Sequence, residues 1–154
     1  MSAIDTVRDF MLALEARDFE KASRYLAEDF IFSGWTPQPL DREQFISVMG
    51  GLKAGIPNLT YHFHTERGGR DLLELNTQVR GVVQLTGHQA NAFNLPPLSL
   101  PPIPQMGKTI SLPEERWNYT VQNDQIMQIA VERVAGGGIQ GLLQQLGIDA
   151  PIIQ

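Results

Sequence analysis

Glu115 stands in the run Glu114-Glu-Arg-Trp-Asn-Tyr-Thr-Val121, where Trp117, Tyr119 and Val121 recur at every second position and Glu115 continues their parity. In a strand with one buried face this alternation turns the apolar set inward and carries the carboxylate in with it. A carboxyl group held against Trp117 and Tyr119 favours its neutral form. Its pKa therefore rises toward the range in which it exchanges a proton as a general acid or base. The next run holds a second anomaly: Met127, Ile129 and Val131 share one parity, and Arg133 continues it. A turn at Asn123-Asp124 would pair the two runs and leave Glu115 and Arg133 together at the far end of the sheet. Two readings follow. Either Glu115 moves a proton while Arg133 or Tyr119 polarises a substrate oxygen, or Glu115 and Arg133 form an ion pair that closes the end of a barrel.

Other side chains sort by the same parity. Leu59, Tyr61 and Phe63 alternate with Thr60, His62 and His64, which predicts Tyr61 and Phe63 inside as ligand-contacting aromatics and both histidines outside. Two outward imidazoles without a third ligand at a recognisable spacing do not make a metal site, so no metal is expected. His88, beside Gly87 at a strand end, is a candidate for the rim of a binding site or an ordinary loop histidine. Trp35, in the loop Trp35-Thr-Pro-Gln-Pro, either lines the same mouth or caps the core. The glycine pairs lack the strand–loop–helix frame of a phosphate loop or dinucleotide fingerprint, and no GxSxG elbow occurs. No cofactor is expected.

These groups need a scaffold. Ser2 and Asp5 read as a helix start, with Ile4, Val7, Met11 and Leu14 on one face to about Ala16, and Asp18 caps a shorter second helix. A strand follows at Asp29-Phe-Ile-Phe-Ser-Gly. Asp41-Arg-Glu-Gln44 is a capping box for a third helix, expected to end among Gly50, Gly51, Gly55 and Pro57. Four strands follow: Leu59 to His64, Leu72 to Leu85, Glu114 to Val121 and Ile126 to Val134. The reading is an α+β domain, a cone-shaped barrel of a strongly curved antiparallel sheet wrapped onto three N-terminal helices. Residues 1–134 form this domain. Residues 135–154 are a flexible Ala135-Gly-Gly-Gly138 hinge and a helix with Ile139, Leu142, Leu143 and Leu146 on one stripe.

At 154 residues the chain suits one domain with a sizeable core. Its net charge of -5 and lack of a Lys/Arg cluster argue against a nucleic-acid partner. No run is apolar enough for a membrane span. Cysteine is absent, which removes disulfide and thiolate chemistry. The opening MSAIDTVRDFM reads as a helix and not a leader, so the cytoplasm is the expected location.

The helices together with LAEDFIFSG, LTYHFHTERGGRDLLELNTQVRGVVQLTG and ERWNYTVQNDQIMQIAVERV resemble the SnoaL-like polyketide cyclase branch of the nuclear-transport-factor-two-like superfamily, over roughly residues 3–134. The resemblance implies a cone-shaped α+β barrel, a homodimer, and a pocket between the concave face of the sheet and the helices. It also implies an acid/base carboxylate on the strand before the hairpin Val121–Ile126. Glu115 is the positional match, with Glu in place of the family's Asp. Ketosteroid isomerases of this superfamily carry their base at the end of the first strand, where Ser33-Gly34 stand here, so that chemistry is disfavoured. The outward His62 and His64 argue against a scytalone-dehydratase-like site. Three functions follow: a cofactor-free cyclase or isomerase acting on a hydrophobic, oxygenated, polyketide-like molecule, a binding protein for a hydrophobic small molecule in the same pocket, or a dimeric interaction domain.

Residues Asn94 to Trp117 hold six of the ten prolines. Pro101-Pro-Ile-Pro104 satisfies PxxP but lacks adjacent arginines and interrupts one sheet, which disfavours a docking peptide. The insert, residues 94–113, reads as an ordered flap that runs into Glu115. It either closes over a ligand or seals the end of the barrel.

Overall fold

The computed structural model describes residues 2–65 and 77–148. Ser2 accepts from the Asp5 amide at 3.1 Å and starts helix α1, Ala3–Glu15, which turns Val7, Phe10, Met11 and Leu14 into the core. Asp18 caps α2, Phe19–Arg24. Strand β1, Leu26–Ser33, leads to the two-residue β2, Leu40–Asp41, which the sequence does not announce. The reciprocal Asp41 and Gln44 bonds then open α3, Arg42–Gly55. This helix ends at Gly55, within the expected group, but does not stop at Gly50 or Gly51; a Cβ on Gly51 would meet the Asn94 carbonyl and one on Gly55 the Phe93 ring, so both are also sites of close approach.

The remaining strands are β3, His64–Thr65, β4, Thr77–Val83, β5, Thr86–His88, β6, Thr109–Ser111, β7, Glu115–Gln122, and β8, Gln125–Val131. Six of them form one curved sheet in the order β2-β1-β8-β7-β4-β3, antiparallel except for β1 beside β8. The strand expected from Leu59 to His64 is almost absent. Thr60 makes one bridge to Thr86, and His62 takes φ +45°, which breaks the extended run and brings its Nε2 to 2.8 Å from the Thr86 hydroxyl. The part of the second expected strand before Thr77 lies outside the described residues.

The concave face is filled. Phe32 sits 4.7 Å from Phe45 and 5.4 Å from Trp117, ring centre to ring centre, and Phe10 and Phe30 pack on Phe45. Gly81, opposite Trp117, makes space for rings: a Cβ there would lie 2.5 Å from Phe63 and 2.9 Å from Tyr119. Helix α4, Gly138–Gln145, adds Ile139, Leu142 and Leu143, with Leu146 just after it, to the same core. No helix among the described residues is long and apolar enough to cross a membrane.

The proline insert is held at both ends. Its flanks β5 and β6 pair with each other, Phe93 bridges Ile103, and Pro96–Leu98 forms a 3-10 turn. The buried Gln89 side chain donates to the Asn91 and Pro104 carbonyls and accepts from the Met106 amide. Phe93, Leu95, Ile103 and Leu112 are buried in the main core.

Candidate functional site

Glu115 begins β7, opposite Val83, and the burial of β7 alternates so that Glu115, Trp117, Tyr119 and Val121 all face inward. Its side chain is 2% exposed. Oε1 accepts from the Trp35 indole N–H at 3.2 Å, and Oε2 accepts from the Gly138 backbone N–H at 3.1 Å. Burial pushes the Glu115 carboxyl above the usual carboxylate range, while these two hydrogen bonds oppose the shift by favouring the charged form.

Two chain segments meet around this carboxyl. The loop after β1 brings Trp35, whose ring packs edge-on against Phe32 at 6.2 Å and whose carbonyl accepts from the Ile139 amide at 3.1 Å. The segment after β8 brings Gly136, Gly137 and Gly138. A Cβ on Gly137 would lie 3.0 Å from Glu115 Oε2, and Gly138, at φ +69°, would place one 3.0 Å from the Trp35 carbonyl. Within the run read as a flexible hinge, Gly137 and Gly138 form a close-fitting cradle in which a side chain would meet the groups they touch, while a Cβ on Gly136 would meet nothing within 4 Å. Together the segments border an open cavity of about 310 Å³, with Glu115, Trp35 and Thr36 in its wall, Arg133 and the glycines beside them, and Gln140 and Gln144 from α4.

Arg133 departs from its expected place. β8 ends at Val131, so the inward parity does not extend to Arg133, which is exposed at the cavity. The groups that hydrogen-bond to Glu115 are an indole and a backbone amide, in place of the anticipated guanidinium.

The other expected site residues separate. Trp117 and Tyr119 are fully buried in the core and do not border the Glu115 cavity; the Tyr119 hydroxyl donates to Met11 Sδ at 3.3 Å. Burial raises the pKa of Tyr119 well above its ordinary value, so it stays protonated. Tyr61 and Phe63 line a different cavity, against α1. His88 is exposed on β5 with Nδ1 3.0 Å from the Thr109 hydroxyl, away from Glu115. The proline insert contributes nothing to the lining of the Glu115 cavity. It packs on α3 instead, which removes it as a cover for that carboxyl.

Sequence reasoning missed Gln140, Gln144 and the glycine cradle. The triple glycine was visible, but its partner Trp35 is about a hundred residues away and no local signal links them.

No family model matches the sequence, and no curated protein matches it. Solved structures do match its fold. A candidate SnoaL-like polyketide cyclase from Jannaschia sp. CCS1 superposes with a TM-score of 0.60 at 17% identity, covering 98% of each chain. An LEH-like epoxide hydrolase from M. tuberculosis gives 0.58 at 14% identity, covering 94% of this chain and 92% of that one. A Catenulispora acidiphila protein with a ketosteroid isomerase-like fold, solved with trimethylamine, gives 0.60 at 14% identity over 99% and 100%. The chain has the α+β fold of the nuclear-transport-factor-two-like and ketosteroid-isomerase-like proteins.

Proposed function

We propose that this protein is a cofactor-free enzyme that uses Glu115 as a general acid/base on a small oxygenated molecule bound in the adjoining cavity. One observation carries the reading: a buried carboxyl with a raised pKa forms part of the wall of a cavity. The similar structures include a candidate polyketide cyclase and an epoxide hydrolase, which supports an enzymatic role on this fold. The volume, at the low end of the roughly 300 to 1,000 Å³ of small-molecule sites, and the lining of glutamines, arginine and glycine backbone favour a compact polar substrate. A large hydrophobic polyketide fits this cavity less well.

In the proposed step the Glu115 carboxylate removes a proton from the carbon next to a substrate carbonyl, and Arg133 stabilises the enolate oxygen. In an isomerisation the Glu115 acid returns that same proton to a different carbon of the conjugated enolate; in a ring closure the enolate carbon attacks a second carbonyl of the substrate, the C=O π electrons move onto its oxygen, and the Glu115 acid protonates the alkoxide so formed. A purely structural role also has an observation behind it, since each carboxylate oxygen ties down one loop.

Deuterium exchange next to the carbonyl of small cyclic monoketones such as cyclohexanone, followed by NMR, tests the proposal. The wild type should accelerate exchange over buffer. Glu115→Gln should lower it by about 100-fold or more, the scale of general-base catalysis, and Arg133→Ala should lower it as well. Exchange no faster than buffer, or full activity in a folded Glu115→Gln variant, would leave the structural role standing.

A further inference from the structure

A second cavity, of about 500 Å³, lies between α1 and residues 60–65 and shares no lining residue with the Glu115 cavity. Its apolar wall is Met11, Leu12, Tyr61 and Phe63. Leu12 is 59% exposed, an unusual position for a leucine. Among the described residues, the ionisable groups in its lining are Arg8, Glu15, His62 and His64. Glu15 is already committed, because its Oε1 accepts from the Tyr61 amide at 2.9 Å. Arg8 faces Asp5 only at 3.8 Å, with both side chains more than half exposed, a pairing too weak to hold the guanidinium. Arg8 and Glu15 are the fixed charges of this lining, and with the Glu15 carboxylate turned to the Tyr61 amide, the Arg8 guanidinium is the donor group beside the apolar wall. The positive φ of His62 lies in this same wall, and strained backbone of this kind clusters at ligand clamps.

We propose that this cavity binds a monocarboxylate with an apolar body, an alkyl chain or a single aryl ring. The body lies against Met11, Leu12, Tyr61 and Phe63, and the carboxylate turns to Arg8 with the His62 and His64 imidazoles beside it. One guanidinium fork matches one carboxylate in charge and in geometry. The volume falls within the roughly 300 to 1,000 Å³ typical of small-molecule sites. This inference is independent of the acid/base role of Glu115.

Calorimetric titration with decanoate, and with decan-1-ol as its uncharged counterpart, tests it on the whole chain. Decanoate should bind saturably and more tightly than decan-1-ol. Arg8→Gln, at an exposed position, should weaken decanoate by about tenfold or more, the scale of a charge-assisted hydrogen bond, and leave decan-1-ol unchanged. Leu12→Asp should weaken both ligands, and Glu115→Gln neither. No saturable binding of decanoate, equal affinity in the Arg8→Gln variant, or loss of binding in Glu115→Gln would each overturn the assignment.

Discussion

Glu115 joins two effects that act in opposite directions. Removing a carboxylate from water raises its pKa, while the Trp35 and Gly138 donors lower it, and burial wins. Because the folded-state pKa lies above the ordinary 4.5, the folded protein binds this proton more tightly than the unfolded chain. The stability that Glu115 contributes is therefore fully present below pH 4.5 and is lost as pH rises through the folded-state pKa. Relative to Glu115→Gln, the wild type should gain stability on acidification across that window, by at most about 1.4 kcal/mol per pH unit for one proton. Paired urea titrations of the two proteins between pH 7.5 and 5 measure this. A stability difference that instead grew in favour of the wild type toward alkaline pH would show that the hydrogen bonds outweigh burial. The inward direction of Glu115 was legible from Trp117, Tyr119 and Val121, because strand parity is a local property. Its donors were not, since Trp35 lies 80 residues away in the chain and Gly138 opens α4, 23 residues on. Trp117 shows the reverse case: its burial was legible, but among the described residues its indole N–H has no hydrogen-bond partner, a cost that parity cannot reveal.

At the level of elements, the pieces with their own start and stop chemistry were readable. The capping boxes at Ser2 and Asp41 and the Asp18 cap stand where their side chains predict. The turn at Asn123-Asp124 joins β7 to β8 with φ of +52° and +62°, both in the left-handed region. Such a turn favours glycine at its second position, and an L-residue there carries a conformational cost. Asp124→Gly should therefore stabilise the protein by about 0.5 to 1 kcal/mol, read as a higher urea midpoint at unchanged slope. Elements without local punctuation were misread. The Leu59–His64 alternation had the right period for a strand, yet strand pairing needs a neighbour in register, and His62 leaves the extended region before one is met. Strands β5 and β6 are three residues each, too short for a periodic signal. The three glycines at 136–138 announced freedom, but the tight contacts of Gly137 to Glu115 and of Gly138 to Trp35 show that these two answer a packing demand.

For the whole molecule, the insert at 94–113 decides how the barrel is closed. Leu95 is fully buried beside Gly51 of α3, and Phe93 fills the space over Gly55. An insert packed this way should behave as core. Leu95→Ala should cost about 2 to 4 kcal/mol, as large-to-small changes at core leucines do, whereas a loosely held cover would lose less than about 1 kcal/mol. Equilibrium urea unfolding separates the two. The sequence by itself determined the helices, the hydrophobic sides of the longer strands, the α+β class and the inward set of Glu115, because caps, turn chemistry and periodicity act over a few residues. Tertiary structure alone decided that rings fill the concave face and that Trp35 and Gly138 grip the carboxylate. It also placed Arg133 beyond the end of its strand and set the proline insert on α3, away from Glu115. Each of these depends on contacts between residues far apart in the chain, where volume and hydrogen-bond geometry choose among partners that local sequence leaves equivalent.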